Sequence, residues 1–133
     1  MPVTERSVAI SEVVPLLFVE DINRSVDFYC GQLGFVLVNK WEPDGKLGWC
    51  RIERGNSAIM LQQACEEDGP AAGRGRGVEF FFQCDDAAAL YSEFQSAGLT
   101  IARPKVAFYG MNQLFVKDPD GYGLCFQNVA QQA

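Results

Sequence analysis

The side chains available for chemistry are unusual, because the 133-residue chain contains no histidine. Neither a histidine-activated nucleophile nor an imidazole metal ligand is therefore possible. The cysteines are odd in number and form no C-x-x-C pair, which argues against a disulfide framework and a structural zinc site. They are Cys30, Cys50, Cys65, Cys84 and Cys125. Free cysteines of this kind are usually small buried hydrophobic residues.

Glu79 is the acidic residue that most suggests a functional role. It directly precedes the apolar run from Phe80 to Phe82, where an inward-facing carboxylate would need a polar partner. One interpretation makes Glu79 an anion or hydrogen-bond acceptor in a ligand cleft, or a general base. The other places it on the exposed side of an edge strand. The sequence leaves both open.

The first half of the chain predicts four strands and one helix. The strands cover residues 13–19, 35–38, 49–52 and 58–61. Asp21 is suited to cap a helix that runs through Cys30, and Gly34 is suited to end it. Pro43 and Gly45 mark a turn between the second and third strands.

The second half repeats this order. Strands are predicted at 78–82, from 99–101 onward, at 113–116 and at 123–126. A helix begins after Asp86, runs through Ala97 and ends at Gly98. Residues 118–121 form a tight structural turn, since their Pro and Gly positions match turn chemistry. Each half therefore reads β-α-β-β-β.

The two halves align with a constant offset, which indicates an internal duplication. Asp21 falls on Asp86 (86 − 21 = 65) and Met60 on Cys125 (125 − 60 = 65). One domain, residues 1–133, is predicted, with a first module at about 12–63 and a second at about 78–128. Residues 64–77 form a linker whose glycines lack the strand-to-helix context of a phosphate-binding loop. Its composition favours flexibility.

Composition restricts the possible partners. Hydrophobic residues make up 48% and charged residues 21%, as in soluble globular proteins. No apolar run is long enough for a membrane span, and no secretion signal is recognisable, so a cytoplasmic location is expected. The net charge is −6 without a basic stripe, which argues against nucleic acid as a partner.

Several short motifs in this order resemble the vicinal oxygen chelate superfamily, which includes glyoxalase I, extradiol dioxygenases and bleomycin-resistance proteins. They are residues 19–21, 24–29, 33–35 and 118–122. The resemblance covers about residues 12–128. It implies an α+β fold in which two βαβββ modules form a cupped mixed sheet with a helix on each outer face. It also implies a homodimer, in which the cleft can involve both subunits.

Metal-dependent relatives take ligands from the first and last strands of each module. The resemblance puts those four places at Val14, Met60, Glu79 and Cys125. Valine has no lone pair, and a thioether is a poor ligand for hard divalent ions. One carboxylate and one thiol remain, short of the three or four donors of a catalytic metal. No metal and no cofactor are therefore predicted.

Large aromatic side chains near strand ends and loops complete the predicted ligand-binding set, which is Val14, Phe18, Trp41, Trp49, Met60, Glu79, Tyr109 and Cys125. Flat aromatic walls favour planar ligands. The resemblance places Tyr109 in a loop beside the ligand. Alternatively, these aromatics seal the gap between modules or a dimer interface, and Met60 and Cys125 are ordinary core residues.

The favoured hypothesis is a metal-free binding protein for an aromatic or cationic small molecule. The resemblance implies that such a protein sequesters an antibiotic, as bleomycin-resistance proteins do. One alternative is a glyoxalase- or dioxygenase-like enzyme with an atypical metal site formed by Glu79, Cys125 and Gln62 or Gln127. Another is a metal-free enzyme in which Glu79 is the general base and the only candidate catalytic residue.

Overall fold

The computed structural model describes residues 8–130, which form two four-stranded mixed sheets. The first sheet has the order β1-β4-β3-β2, and the second has the order β5-β8-β7-β6. The first contains β1 (Leu16–Val19), β2 (Val36–Trp41), β3 (Trp49–Arg54) and β4 (Ser57–Gln63). The second contains β5 (Glu79–Gln83), β6 (Lys105–Val106), β7 (Met111–Lys117) and β8 (Gly123–Val129). The predicted α+β fold of two βαβββ modules is confirmed.

Each module has its helix between its first and second strands. Helix α1 (Ile22–Val26) continues as a π-helical segment, Asp27–Gln32, and α2 covers Ala87–Ser96. The predicted N-caps are correct, because Asp21 accepts from the Arg24 amide and Asp86 from the Ala89 amide. Gly34 and Gly98 follow the two helices with positive φ, a conformation that glycine adopts without strain.

The internal duplication is visible in individual hydrogen bonds. In each module the first strand is parallel to the fourth. The Ile22 amide donates to Gln63 Oε1 at 2.9 Å, and the Ala87 amide donates to Asn128 Oδ1 at 2.8 Å. Both pairs are related by the offset of 65, since 22 + 65 = 87 and 63 + 65 = 128. The same local structure is therefore built twice.

The hydrophobic core lies on the helix side of both sheets and is shared by the two modules. It includes Tyr29 and Phe94 from the helical segments, both fully buried. Phe35 of the first module packs edge-on against Phe82 of the second, with ring centroids 6.1 Å apart. Because strand side chains alternate, the opposite face of each sheet points away from this core.

Two strand predictions differ from the structure. The first strand begins at Leu16 rather than at residue 13, and residues 99–104 form no strand. Leu99 and Ile101 are apolar because they pack against the core from an extended loop, not because they belong to a sheet. Pro104, which has no amide hydrogen, precedes the two-residue strand β6.

A polar cluster joins the modules at the turn before β8. The buried Asp118 accepts from the Tyr29 hydroxyl at 2.7 Å, and Asp120 accepts from the Glu20 amide at 2.8 Å. Arg74 of the linker forms ion pairs with Glu20 and Asp120, so this segment is anchored to both modules. None of the helices within residues 8–130 has the length and apolar composition needed to cross a bilayer.

Candidate functional site

The candidate site consists of the two sheet faces that point away from the core. We call them the first and second open faces. The first contains Leu16, Phe18, Trp41, Trp49, Arg51, Met60 and Gln62, and the second contains Glu79, Phe81, Gln83, Gln113, Phe115, Lys117, Cys125 and Gln127. Their neighbours along the strands are core residues, so alternation fixes which side chains share each face.

The first open face carries both tryptophans of the chain. Trp41 and Trp49 are cross-strand partners on β2 and β3, and the Trp41 side chain lies over Gly48, whose added Cβ would be 3.0 Å from the ring. Trp41 remains 61% exposed. The register sets Leu16 beside Met60, whereas Val14 lies before β1 and outside any strand.

The arginine of the first open face is paired with two carboxylates. Arg51 donates to Glu53 at 2.7 Å and to Glu12 at 3.2 Å. These two carboxylates raise the pKa of the Arg51 guanidinium and more than offset its positive charge. The face thus presents mainly aromatic and aliphatic surface, with Phe18 and Met60 half-buried beside the tryptophans.

The second open face is divided into three zones along its strands. Glu79 and Lys117 flank Gly123 at one end. Phe81 and Phe115 flank Cys125 in the middle, and they are 47% and 45% exposed. The third zone is a row of amides at the other end, Gln83, Gln127 and Gln113.

The amide row is connected to Tyr109 by hydrogen bonds. Gln113 is 7% exposed and donates both to the Tyr109 hydroxyl and to Gln127 Oε1. Gln127 in turn donates to Gln83 Oε1 at 3.4 Å. The row therefore fixes the position of the Tyr109 ring at this end of the face, although Tyr109 itself belongs to the loop before β7.

Cys125 is fully buried although it lies on an open face. Burial, with a smaller contribution from the nearby Glu79 carboxylate, raises the pKa of its thiol to about 11. A thiol with so high a pKa stays protonated at neutral pH and is a poor nucleophile. Cys125 therefore serves as a small apolar residue between the two phenyl rings.

Glu79 combines features of both interpretations made from the sequence. It lies on β5, which is an edge strand, and it is exposed. Its carboxylate also folds over Gly123, where an added Cβ would be 2.7 Å from Oε2. The absence of a side chain at position 123 thus allows this carboxylate to lie flat on the open face.

Only some of the predicted site residues are brought together within one chain. Phe18, Trp41, Trp49 and Met60 share the first open face, and Glu79 and Cys125 share the second, with Tyr109 at its end. Among the best-defined cavities within residues 8–130, one includes Glu79 and Lys117 at the end of the second open face. None is lined by both Met60 and Cys125.

Sequence reasoning identified Glu79 and Cys125 but missed the other side chains that dominate the second open face. They recur at every second position, in the patterns Glu79-x-Phe81-x-Gln83, Gln113-x-Phe115-x-Lys117 and Gly123-x-Cys125-x-Gln127. Strict alternation in three strands is a readable signal. It was hidden because Phe80 and Phe82 of the core adjoin Phe81 and make β5 look apolar on both faces.

A family model described as Glyoxalase/Bleomycin resistance protein/Dioxygenase superfamily matches residues 9–126. The chain belongs to this superfamily. A sequence search of curated proteins found no match. Several solved structures have a similar fold over nearly the whole chain, and some of their names refer to antibiotic binding.

Three of these structures are compared with this chain by TM-score, sequence identity and coverage. A bleomycin resistance determinant encoded on the transposon Tn5 has a TM-score of 0.73 at 21% identity, over 92% of this chain and 100% of that one. A bleomycin-binding protein complexed with bleomycin gives 0.67 at 20%, with the same coverage. TnmS3, an antibiotic binding protein from Streptomyces sp. CB03234, gives 0.71 at 22%, over 93% and 100%. At these identities the likeness establishes the fold.

The donor set does not fit the metal chemistry of the metal-dependent superfamily members. The strand register places Leu16 beside Met60 and Phe81 beside Cys125, and none of these offers a hard ligand atom at neutral pH. No group of three or more His, Cys, Asp or Glu side chains in the described part of the chain is arranged to hold a metal ion. Glu79 alone would be an insufficient ligand.

Proposed function

We propose that this protein binds a planar aromatic small molecule between the open faces and protects by sequestration, as antibiotic-binding proteins do. The observation that carries this proposal is the aromatic surface displayed outside the core: Trp41 is 61% exposed, Phe81 47% and Phe115 45%. Single exposed apolar side chains are common, but apolar side chains grouped on one surface mark ligand or partner sites. Flat aromatic walls favour stacking on a planar ligand.

A second copy of the chain completes the proposed cleft. In one chain the two open faces belong to separate sheets, and none of the best-defined cavities within residues 8–130 is lined by residues of both faces. A two-fold axis would set the first open face of one copy against the second open face of the other, twice. Both apolar faces would then be covered, and two equivalent clefts would form.

The polar groups of the second open face would orient the ligand. The amide row and the Tyr109 hydroxyl offer hydrogen bonds at one end, and Glu79 offers a negative charge for a cationic group at the other. A largely apolar cleft with a few convergent polar groups is typical of small-molecule sites. The donor chemistry supports binding without a metal.

Tryptophan fluorescence gives a direct test, because both tryptophans of the chain lie on the first open face. Titration with bleomycin and with a panel of planar aromatic antibiotics should produce saturable quenching with at least one compound. Phe81→Ala should weaken that binding roughly tenfold to a hundredfold, since a buried phenyl ring contributes about 1.5–3 kcal/mol. Phe108→Ala is the matched control, because Phe108 is fully exposed in a loop.

The role of the second copy is tested separately by analytical ultracentrifugation. The wild type should be dimeric at micromolar concentration, and Phe115→Glu should produce monomers that no longer bind. Quenching that never saturates with any compound, or equal binding by Phe81→Ala and Phe108→Ala, would contradict a ligand site on the open faces. A monomeric wild type that binds fully would contradict the shared cleft.

A further inference from the structure

The two modules contact each other at two places related by the internal duplication, and these two ends of the junction differ. At the closed seam, residues 18–22 meet residues 118–122. The Tyr122 side chain fills this seam, 9% exposed, and its hydroxyl donates to the Phe18 carbonyl at 2.9 Å. The closed seam is thus filled by a phenol ring from the chain itself.

The open seam is the corresponding place at the other end of the junction, where residues 83–87 meet residues 54–57. The offset of 65 places Ser57 where Tyr122 stands (57 + 65 = 122) and Gln83 where Phe18 stands (18 + 65 = 83). A serine in place of a tyrosine leaves the ring position empty. The structure has a cavity of about 500 Å³ here, lined by both Ser57 and Gln83.

The cavity walls suit an aromatic ring. Phe35, Phe82 and Phe126 line the cavity. Phe82 and Phe126 are stacked with centroids 4.7 Å apart, and Phe35 meets Phe82 edge-on. An apolar cavity of roughly 150 Å³ is enough to bind benzene in an engineered protein. The open seam is large enough for a substituted ring.

The backbone carbonyl of Gln83 is the hydrogen-bond acceptor in the open seam that corresponds to the backbone carbonyl of Phe18 in the closed seam. The Cys84 amide donates to the Gln127 carbonyl at 2.9 Å, so Cys84 is the residue that pairs with β8. Adjacent residues of a strand direct their backbone groups to opposite sides, so the backbone carbonyl of Gln83 points to the free edge of β5. No side chain within residues 8–130 donates a hydrogen bond to the Gln83 carbonyl.

We propose that the open seam is a binding site for small phenols, which would occupy it as the Tyr122 side chain occupies the closed seam. The ring would lie against the phenylalanines, and the hydroxyl would donate to the Gln83 carbonyl. Charged groups at the rim are Arg54, Asp85, Asp86 and Glu93. Arg54 and Glu93 already pair with each other at 2.6 Å. The site shares Gln83 with the second open face, on which the Gln83 side chain lies, but it does not depend on the proposed function of the open faces.

The probe is p-cresol, which is the tyrosine side chain as a free molecule, titrated into the full chain and followed by NMR. We expect saturable shifts at the amides of Ser57, Gln83 and Cys84. Toluene, which lacks the hydroxyl, should bind about two- to tenfold more weakly, because one hydrogen bond contributes modestly in water. Ser57→Tyr should abolish binding, since the new ring occupies the site.

Ser92→Tyr is the matched control, because Ser92 is an exposed residue of α2 that does not line the cavity. It should bind p-cresol as the wild type does. Ala89→Met narrows the cavity from the helix side and replaces Ser57→Tyr if that variant fails to fold. Absence of saturable shifts in the wild type would overturn the proposal. So would shifts confined to the open faces, or binding that survives both cavity-filling variants.

Discussion

Removing the hydroxyl of Tyr29 should measurably destabilise the protein. Tyr29 is fully buried and Asp118 is 5% exposed, and their side chains are joined by a 2.7 Å hydrogen bond between modules. The Asp118 Oδ1 atom also accepts from the amides of Asp120 and Tyr122, but Oδ2 has no other donor among residues 8–130. Tyr29→Phe therefore leaves one buried carboxylate oxygen without a partner.

The expected loss in free energy of unfolding is about 1.5–3 kcal/mol, the usual range for a hydrogen bond to a charged group. No cavity term is added, because phenylalanine keeps the ring and Phe94 occupies the corresponding place in the second module (29 + 65 = 94). For a domain of this size, the unfolding midpoint should fall by roughly 5–10 °C. Urea unfolding and calorimetry on the same samples would measure both quantities.

Tyr91→Phe is the control for this experiment. Tyr91 is a partly buried tyrosine of α2, and its hydroxyl makes no hydrogen bond within the described part of the chain. Its substitution should change stability by less than about 0.5 kcal/mol. If Tyr29→Phe and Tyr91→Phe are equally mild, the two backbone amides satisfy Asp118 unaided, and the argument for a buried link between the modules fails.

Three further expectations concern other contacts. Burial raises the pKa of Asp118, so the folded protein holds the carboxyl proton more tightly than the unfolded chain does. The stability that this group contributes therefore falls as the pH rises from its unfolded pKa through its folded pKa. Urea unfolding as a function of pH should show this decrease in the wild type and lose it in Asp118→Asn. Gly123→Ala should displace the Glu79 carboxylate from the second open face. In calorimetric titrations with a compound that binds the wild type, Gly123→Ala and Glu79→Gln should therefore have the same affinity. Different affinities would contradict the close approach of Glu79 to Gly123. Arg54→Gln should lower the free energy of unfolding, measured with urea, by about 0.5–1.5 kcal/mol, because it breaks both the ion pair with Glu93 and the hydrogen bond to the Leu33 carbonyl. Glu93→Gln breaks only the ion pair and should lower it less.

The fold was predictable because its signals are local and occur twice. Asp21 and Asp86 are recognisable helix caps, and Gly34 and Gly98 are recognisable helix ends. The constant offset then ties each prediction in one module to its counterpart in the other. The strand at 99–101 was wrong for a physical reason: a loop that packs on the core is as apolar as a strand.

The candidate site was predictable only in part, because it depends on register and on neighbours far apart in sequence. The sequence pointed to Val14 as the partner of Met60, whereas hydrogen bonding of β1 to β4 sets Leu16 there. Likewise, nothing local indicates that Gln113 holds Tyr109 or that the Asp118 turn contacts Tyr29, 89 residues earlier. Such contacts follow from how the modules meet.

The same geometry explains how this chain can keep the superfamily fold without a conventional ligand set. Cys125 lies on an open face and is absent from the core cluster, and Leu16 and Phe81 are exposed. Exchanging metal donors for apolar side chains at such positions leaves core packing unchanged, because alternation separates the two faces of every strand. The closed seam is different, since Tyr122 and Asp118 are both buried and join the modules. We therefore expect substitutions on the open faces to change binding, and substitutions at the closed seam to change stability.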